Sequence, residues 1–404
     1  MHIILFILIG ALFLEQLGQN FLYKKFDFII DIIGNFYGSI FYFCGALAIL
    51  LSVLILYKNI KYKQFKPNKW DICFLLLLVW GFFSVIFAKD KELAIIGSHR
   101  MDGYFSYLIY SSMYVGVRTL KNESIRLWLI RILALTTTSL CFDFIFNGSI
   151  TSIFYNQNHF AYLLTIGSML IAGLLIYEAK LFFKVLYGIL FSINIFTLIN
   201  VDTFGSYLAV MFAICFMAFY ILSIKKEKAI IISIAAILVL FIGISIYTDS
   251  QTHILRKNFA VFGFDIGNVA ANNESSDDAG SGRIRLWKHS LKYIKENPIF
   301  GIGPENSYNI FYEDGVGNDR PHNEYIQHAL FMGIPAAVFY LAGLIMLFIN
   351  CIKKRKQLPS FAIISGLSVF AYCISAFFGN TMYYTAPYYF MMLGMLSNPP
   401  LEKK

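Results

Sequence analysis

Residues 281–324 bring together guanidinium groups at Arg283, Arg285 and Arg320, an indole at Trp287, and an imidazole at His322 followed by the Asn323 amide. Arg100 adds a further guanidinium from far upstream. A guanidinium binds phosphate oxygens through paired, charge-assisted hydrogen bonds and keeps its charge at any working pH, whereas imidazole exchanges a proton near neutrality. Together they suit a substrate with a phosphate leaving group and a hydroxyl nucleophile. Each also has a plainer alternative. An arginine beside a membrane surface can set topology or snorkel, and a histidine ahead of a helix can cap it.

The elements that must position these groups are read from hydropathy. Of 404 residues 58% are hydrophobic and only 14% charged, against about 25% charged in a soluble domain. The chain therefore reads as an all-α polytopic membrane protein. Apolar runs of roughly 20 residues, enough for about 30 Å of hydrocarbon, fall near 2–22, 38–57, 70–88, 104–120, 127–146, 159–178, 181–200, 207–223, 229–247, 325–350, 359–378 and 383–398. That makes about twelve helices. The net charge of +9 sits largely in alternate connections: Lys58 to Lys69, Arg118 to Arg126, Lys180 and Lys184, Lys225 to Lys228, Lys353 to Lys356, and Lys403 with Lys404. The positive-inside rule makes these ends cytoplasmic, with both termini inside. Nucleic-acid binding is not implied, since no basic patch or nucleic-acid motif is present.

The remaining connections, near 23–37, 89–103, 147–158, 201–206, 248–324 and 379–382, then lie outside. Nine helices within 1–247 precede one large extracytoplasmic loop at 248–324, and three more follow within 325–404. The run at 2–22 lacks a basic leader and a small-residue cleavage site, so it reads as a retained helix. Inside the loop, Ile284, Trp287, Leu291 and Ile294 recur at helical spacing up to Asn297-Pro298, which places Arg283 and Trp287 on one face of a short helix. Gly301-Ile302-Gly303-Pro304 is a tight turn.

Other polar residues have local readings. His99-Arg100-Met101-Asp102-Gly103 offers either a local ion pair or a substrate contact. Asn158 would cap the helix that follows it. Asp143 and Asp202 are interfacial, Arg131 snorkels, and Tyr383-Tyr384 with Tyr388-Tyr389 form an aromatic belt. Six cysteines without CxxC spacing read as small core residues. No GxxxxGK[ST], HExxH, DxD or GxSxG is present, which argues against a nucleotide-driven pump and leaves a metal-dependent sugar-nucleotide enzyme without obvious ligands.

At this point the residues resemble a known family, the O-antigen ligase and Wzy-type polysaccharide polymerase superfamily of bacterial membrane glycosyltransferases. The resemblance rests on Ser281-Gly282-Arg283 with Trp287, then Asn297-Pro298-Ile299-Phe300-Gly301-Ile302-Gly303-Pro304, then His322-Asn323-Glu324 leading to Gly333-Ile334-Pro335, in the family's order. Upstream, Gly97 to Gly103 and Asn156-Gln157-Asn158-His159-Phe160-Ala161 are similar to two further elements. One departure stands out. Asp202-Thr203-Phe204-Gly205-Ser206 has Phe204 where the family often carries an arginine associated with the lipid pyrophosphate.

The resemblance implies a GT-C-like, metal-independent inverting transferase without a cofactor, acting on an undecaprenyl-pyrophosphate-linked glycan. It implies Arg283 and His322 as catalytic residues, the first on the pyrophosphate and the second as general base. It implies Arg285, Arg100, Trp287, Asn323 and Arg320 as substrate-binding or supporting residues, with Arg100 or Arg285 standing in for the arginine missing at Phe204. A polymerase and a ligase share this catalytic loop. The Ile-, Lys-, Asn-, Phe- and Tyr-rich usage of an AT-rich genome tilts the reading toward a polymerase. A flippase of lipid-linked sugars is the alternative from another class, though it should carry charge at the bilayer midplane, where these spans have little.

Overall fold

The apolar runs fold into helices, and in the computed structural model every regular element among the described residues is helical. Those residues are 2, 4–7, 27–98, 100–148, 154, 156–224, 226–271, 277–381, 383 and 385–397. In chain order the helices are α1 (Asp27–Lys61), α2 (Lys69–Phe87), α3 (Lys91–Ile96), α4 (Tyr104–Arg118), α5 (Glu123–Asn147), α6 (Gln157–Tyr177), α7 (Leu181–Asn200) and α8 (Phe204–Leu222). They continue with α9 (Lys228–Thr252), α10 (Ile254–Ala270), α11 (Ala279–Glu296), α12 (Ser307–Glu313), α13 (Glu324–Lys353), α14 (Ser360–Ser375) and α15 (Ala386–Leu396).

Nine of the described helices are long and apolar enough to cross a membrane: α1, α2, α5 to α9, α13 and α14. Twelve were expected. The runs at 104–120 and 383–398 form α4 and α15, of 15 and 11 residues, and at 1.5 Å per residue these reach only about 23 and 17 Å. Both pack inside the protein: α4 buries Tyr107, Ile109 and Tyr110, and α15 buries almost its whole length. The run at 2–22 lies mostly outside the described residues. The tyrosines expected as an aromatic belt turn inward, with Tyr383 and Tyr389 buried; Tyr384 lies outside the described residues.

Helix ends are set by local chemistry. Asn122 accepts a hydrogen bond from Ile125 N at the start of α5, and left-handed Gly148 ends that helix. Asn156, not Asn158, caps α6. Asn323 caps α13, accepting from Tyr325 N at 3.0 Å and Ile326 N at 3.1 Å. Buried along nearly every residue, α6 forms the centre of the bundle and touches α5, α7, α8 and α14.

The connections sort into two ends. At one end Arg118 pairs with Asp71, Lys121 donates to Gln64, Arg131 pairs with Glu178 and Arg126 faces Phe361. These are the lysine-bearing connections. At the other end, Asp90, Arg100 and Asp102 meet Asn306, Asp319 and Arg320, and Phe378, Asn380 and Thr381 meet Arg283, His322 and Arg320.

One device ties the two halves of that second end together. Thirty residues of α13 span about 45 Å, well beyond the hydrocarbon thickness, and the helix breaks at Gly333 (φ 83°, ψ 167°). Pro335 has no N–H to give Phe331 O, and Ile334 N turns instead to Pro298 O at 2.8 Å. Residues 298–303 satisfy the carbonyls so exposed. Ile302 N donates to Leu330 O and Gly303 N to Phe331 O, each at 2.9 Å, while Ser84 Oγ from α2 also reaches Phe331 O at 2.8 Å. A side chain on Gly301 would strike the Leu330 carbonyl, and one on Gly333 the Ile299 carbonyl. Trp80 completes the dock by donating to Ile299 O at 2.8 Å, and Phe300 stacks against Trp80 and Phe87.

Candidate functional site

Arg320 is the anchor of the site end. Its side chain is 1% exposed and pairs with Glu305, with Asp102 at 3.1 Å and with Asp319 at 3.3 Å, while Nη1 also donates to Thr381 O at 3.3 Å. Arg100 holds Asp319 from the other side with two contacts, at 2.8 and 3.0 Å. Ser98 Oγ donates to Glu305 at 2.5 Å, and Tyr110 OH to Asp102 at 2.7 Å. The local Arg100–Asp102 pair considered from sequence is therefore replaced by a crossed arrangement, in which each finds its partner more than 200 residues away. Burial pushes the Asp102 carboxyl up to about 8 against the pull of Arg320. Burial opposes the Arg320 charge, but Glu305, Asp319 and Asp102 together raise its affinity for the proton above the ordinary value.

The cluster fixes the residue that follows it. Pro321 is buried, and His322 stands in the left-handed region at φ 51°, a conformation that non-glycine residues hold only when their surroundings enforce it. Asn323 on its far side is spent on capping α13. Glu324, also buried, accepts from Tyr340 OH at 2.7 Å and Tyr372 OH at 2.8 Å, which clamps the first turn of the helix. The His322 imidazole, Nδ1 toward Asn380 Nδ2 at 3.2 Å, is partly buried. Burial and then the positive charge of Arg283 lower its proton affinity to about 4, with Arg100 and Arg320 acting the same way and Asp319 opposing. The imidazole is neutral at neutral pH.

Arg283 begins the regular part of α11, directly after three left-handed residues, Gly280, Ser281 and Gly282. Its Nη1 donates to Gly280 O at 2.7 Å and its Nη2 to Phe378 O at 3.4 Å, and buried Nε has no partner. The side chain lines a cavity of about 350 Å³ together with Asn158, Asp202, Phe204, Asn258 and Asp265. Asn158 accepts there from Thr203 Oγ1 at 3.2 Å. Phe204, at the position where the resemblance expects an arginine, packs edge-on against Phe259 and Phe262 of α10, so that wall is aromatic and Arg283 is the cation of the cavity.

The other candidates spread outward. Arg285 is exposed and meets Asp278 at 3.5 Å. Trp287 is half-buried against the core, its indole N–H without a partner. Neither touches the ion cluster.

One short segment, without a signal of its own in the sequence, joins these parts. Between α14 and α15, residues 378–381 supply Phe378 O to Arg283, the Asn380 amide to His322 and Thr381 O to Arg320. Tyr162 OH donates to Phe378 O at 2.9 Å, and Gly379 lies so close to the Tyr162 ring that no side chain would fit. In the sequence this is only a short polar break, Gly379-Asn380-Thr381, between two apolar runs. His159 at the start of α6, named above only as part of the Asn156–Ala161 element, is buried within electrostatic reach of Arg100, Arg320 and His322. The arrangement presents one cation to a polar cavity and one neutral imidazole beside it. Among the described residues no group of three or more His, Cys, Asp or Glu could hold a metal ion.

Among curated proteins none matches the chain. Residues 189–341, which hold Arg283, Arg285, Trp287, Glu305, Arg320, His322 and Asn323, match a family model described as O-antigen ligase. That stretch of an integral membrane bundle is similar to the O-antigen ligase and Wzy family.

Proposed function

We propose that the protein is a Wzy-type polysaccharide polymerase, moving a glycan from an undecaprenyl-pyrophosphate donor to an acceptor hydroxyl. The observation that carries this is the pairing of Arg283, on the wall of a polar cavity, with a neutral His322 whose position is over-determined from both sides. The acceptor oxygen attacks the anomeric carbon, the bond from that carbon to the pyrophosphate oxygen breaks, and its electron pair leaves with the pyrophosphate. Attack from the opposite face inverts the centre. Arg283, the cation of the cavity, stabilises the charge growing on the leaving group, while Arg100 is held by Asp319, and no metal is required for that task.

His322 Nε2 takes the acceptor proton. For this Nδ1 must carry the ring's own proton, so the Asn380 amide presents Oδ1 to it; that orientation gives a donor to an oxygen that is otherwise buried without one. Arg320 is a positioning residue, since its guanidinium is consumed by the cluster. Arg285, exposed beside Asp278, meets the donor only at the rim. The lysine-bearing end faces the cytoplasm of a bacterial plasma membrane, and the site end faces outward.

Purified protein with a defined lipid-linked repeat unit tests the reading. A ladder of products supports the polymerase, single transfer to a foreign acceptor makes it a ligase, and movement without covalent change makes it a flippase. His322→Ala should bind donor normally and lose roughly 10²–10⁴-fold in transfer rate, and undiminished turnover would remove the base assignment.

A further inference from the structure

Arg126 is the other fully buried arginine, and it lies at the lysine-bearing end, away from the site. It stands in the first turn of α5, three residues after Glu123, where that apolar span begins. Nε, Nη1 and Nη2 are all buried and none has a hydrogen-bond partner. The guanidinium lies 4.7 Å from the centre of the Phe361 ring, in the first turn of α14. Glu123 attracts it from the surface and Arg118 repels it. Arg118 is itself committed to Asp71 through two nitrogens.

A buried guanidinium with five unmatched N–H groups is far costlier than one aromatic face can offset. The surroundings call for an anion. Arg126 belongs to the first turn of α5 and lies against Phe361 in the first turn of α14, so the N-terminal ends of helices of 25 and 16 residues meet at it. Lys121 shortly precedes α5 in the sequence, and Lys353, Lys354 and Lys356 shortly precede α14. Depth decides the source of the anion. Both helices are spans whose first residues are Glu123 and Ser360, so Arg126 sits about 5 Å inside the edge of the bundle, at the level of lipid headgroups.

We propose that Arg126, with the N-terminal ends of α5 and α14, forms a phosphate-binding site for the headgroup of an anionic phospholipid in the leaflet at the lysine-bearing end. The Phe361 ring lies across the guanidinium, so a phosphate oxygen reaching Arg126 takes the place of the ring face. The site is independent of the transfer chemistry at the opposite end.

The full-length protein in detergent, exposed to phosphatidylglycerol or phosphatidylcholine and examined by native mass spectrometry, tests this. Wild type should retain phosphatidylglycerol in preference, and Arg126→Leu should lower that preference at least about tenfold. Equal retention of both lipids by wild type, or an unchanged preference in Arg126→Leu, would overturn the proposal. Inorganic phosphate forms a second arm: if it displaces phosphatidylglycerol completely at millimolar concentration, the lipid assignment fails in favour of free phosphate. Should Arg126→Leu not fold, Phe361→Ala reports instead. It uncovers the same guanidinium and should keep or raise phosphatidylglycerol retention, and loss there would equally overturn the site.

Discussion

Arg320 and Arg126 are both sealed from solvent, at opposite ends of one helical bundle, and their surroundings could hardly differ more. Arg320 meets three carboxylates and a carbonyl drawn from four separate segments. Arg126 meets one aromatic ring and two helix N-termini. A cation neutralised from within the chain organises the chain, and here it fixes the backbone that presents His322. A buried cation whose N–H groups find no acceptor, with only the charge of exposed Glu123 in reach, marks a place where something outside the chain completes the structure. Burial alone does not separate these roles; the partners do.

The sharpest way to break this comparison is Arg320→Met. Removing the guanidinium leaves Glu305 buried and uncompensated, a loss of about 3–5 kcal/mol that thermal unfolding in detergent should register as a marked fall in midpoint. If stability is unchanged, Arg320 is not the anchor described here. Next in size is a shift in acid sensitivity. Because the His322 imidazole is held neutral down to about 4, the rate of transfer should stay level as pH falls through 6.5 and decline only as pH approaches 4, where the base becomes protonated. A decline centred at 6.5 would mean that neither burial nor Arg283 acts on it.

Asn380→Asp places a carboxylate beside Nδ1, stabilises the imidazolium and should move that acid limb upward by about one pH unit or more, with donor affinity preserved. A purely structural Asn380 would change yield and leave the limb in place. The smallest effect belongs to Arg126→Leu in lipid-free detergent. There, removing an unpaired buried charge should leave the unfolding midpoint within about 1 kcal/mol of wild type or above it, the reverse of Arg320→Met.

Much of this was legible in the sequence, for definable reasons. Hydropathy depends on composition over about 20 residues, so the long apolar helices lie within a few residues of the expected bounds except α1, which begins at Asp27 where the apolar run begins near 38. The same measure does not report where a helix ends, which is why α4 and α15 read as full-length spans although they run for only 15 and 11 residues. Arg283 and His322 stand out in the sequence because their types restrict what they can do, and the fold sets one on a cavity wall and the other against Asn380. Arg320 was grouped with them, but its partners Asp102 and Glu305 lie 218 and 15 positions away, and no local pattern reports that its charge is consumed. Asn380 stands 58 positions from His322 and belongs to a turn with no distinguishing composition. Arg126 was read as one more basic residue of a cytoplasmic connection, because only the fold shows that it is covered.

The break in α13 also constrains how the protein is made. Leu330 O and Phe331 O lack helical donors, and a bare carbonyl at a membrane boundary is unfavourable. Their donors, Ile302 and Gly303, are synthesised nearly thirty residues earlier and have no role to fill until α13 emerges. Insertion of α13 and closure of the loop over it are thus a single assembly step. A chain truncated within α13 would leave the nascent loop without its dock, and the site end cannot assemble before that helix is in place.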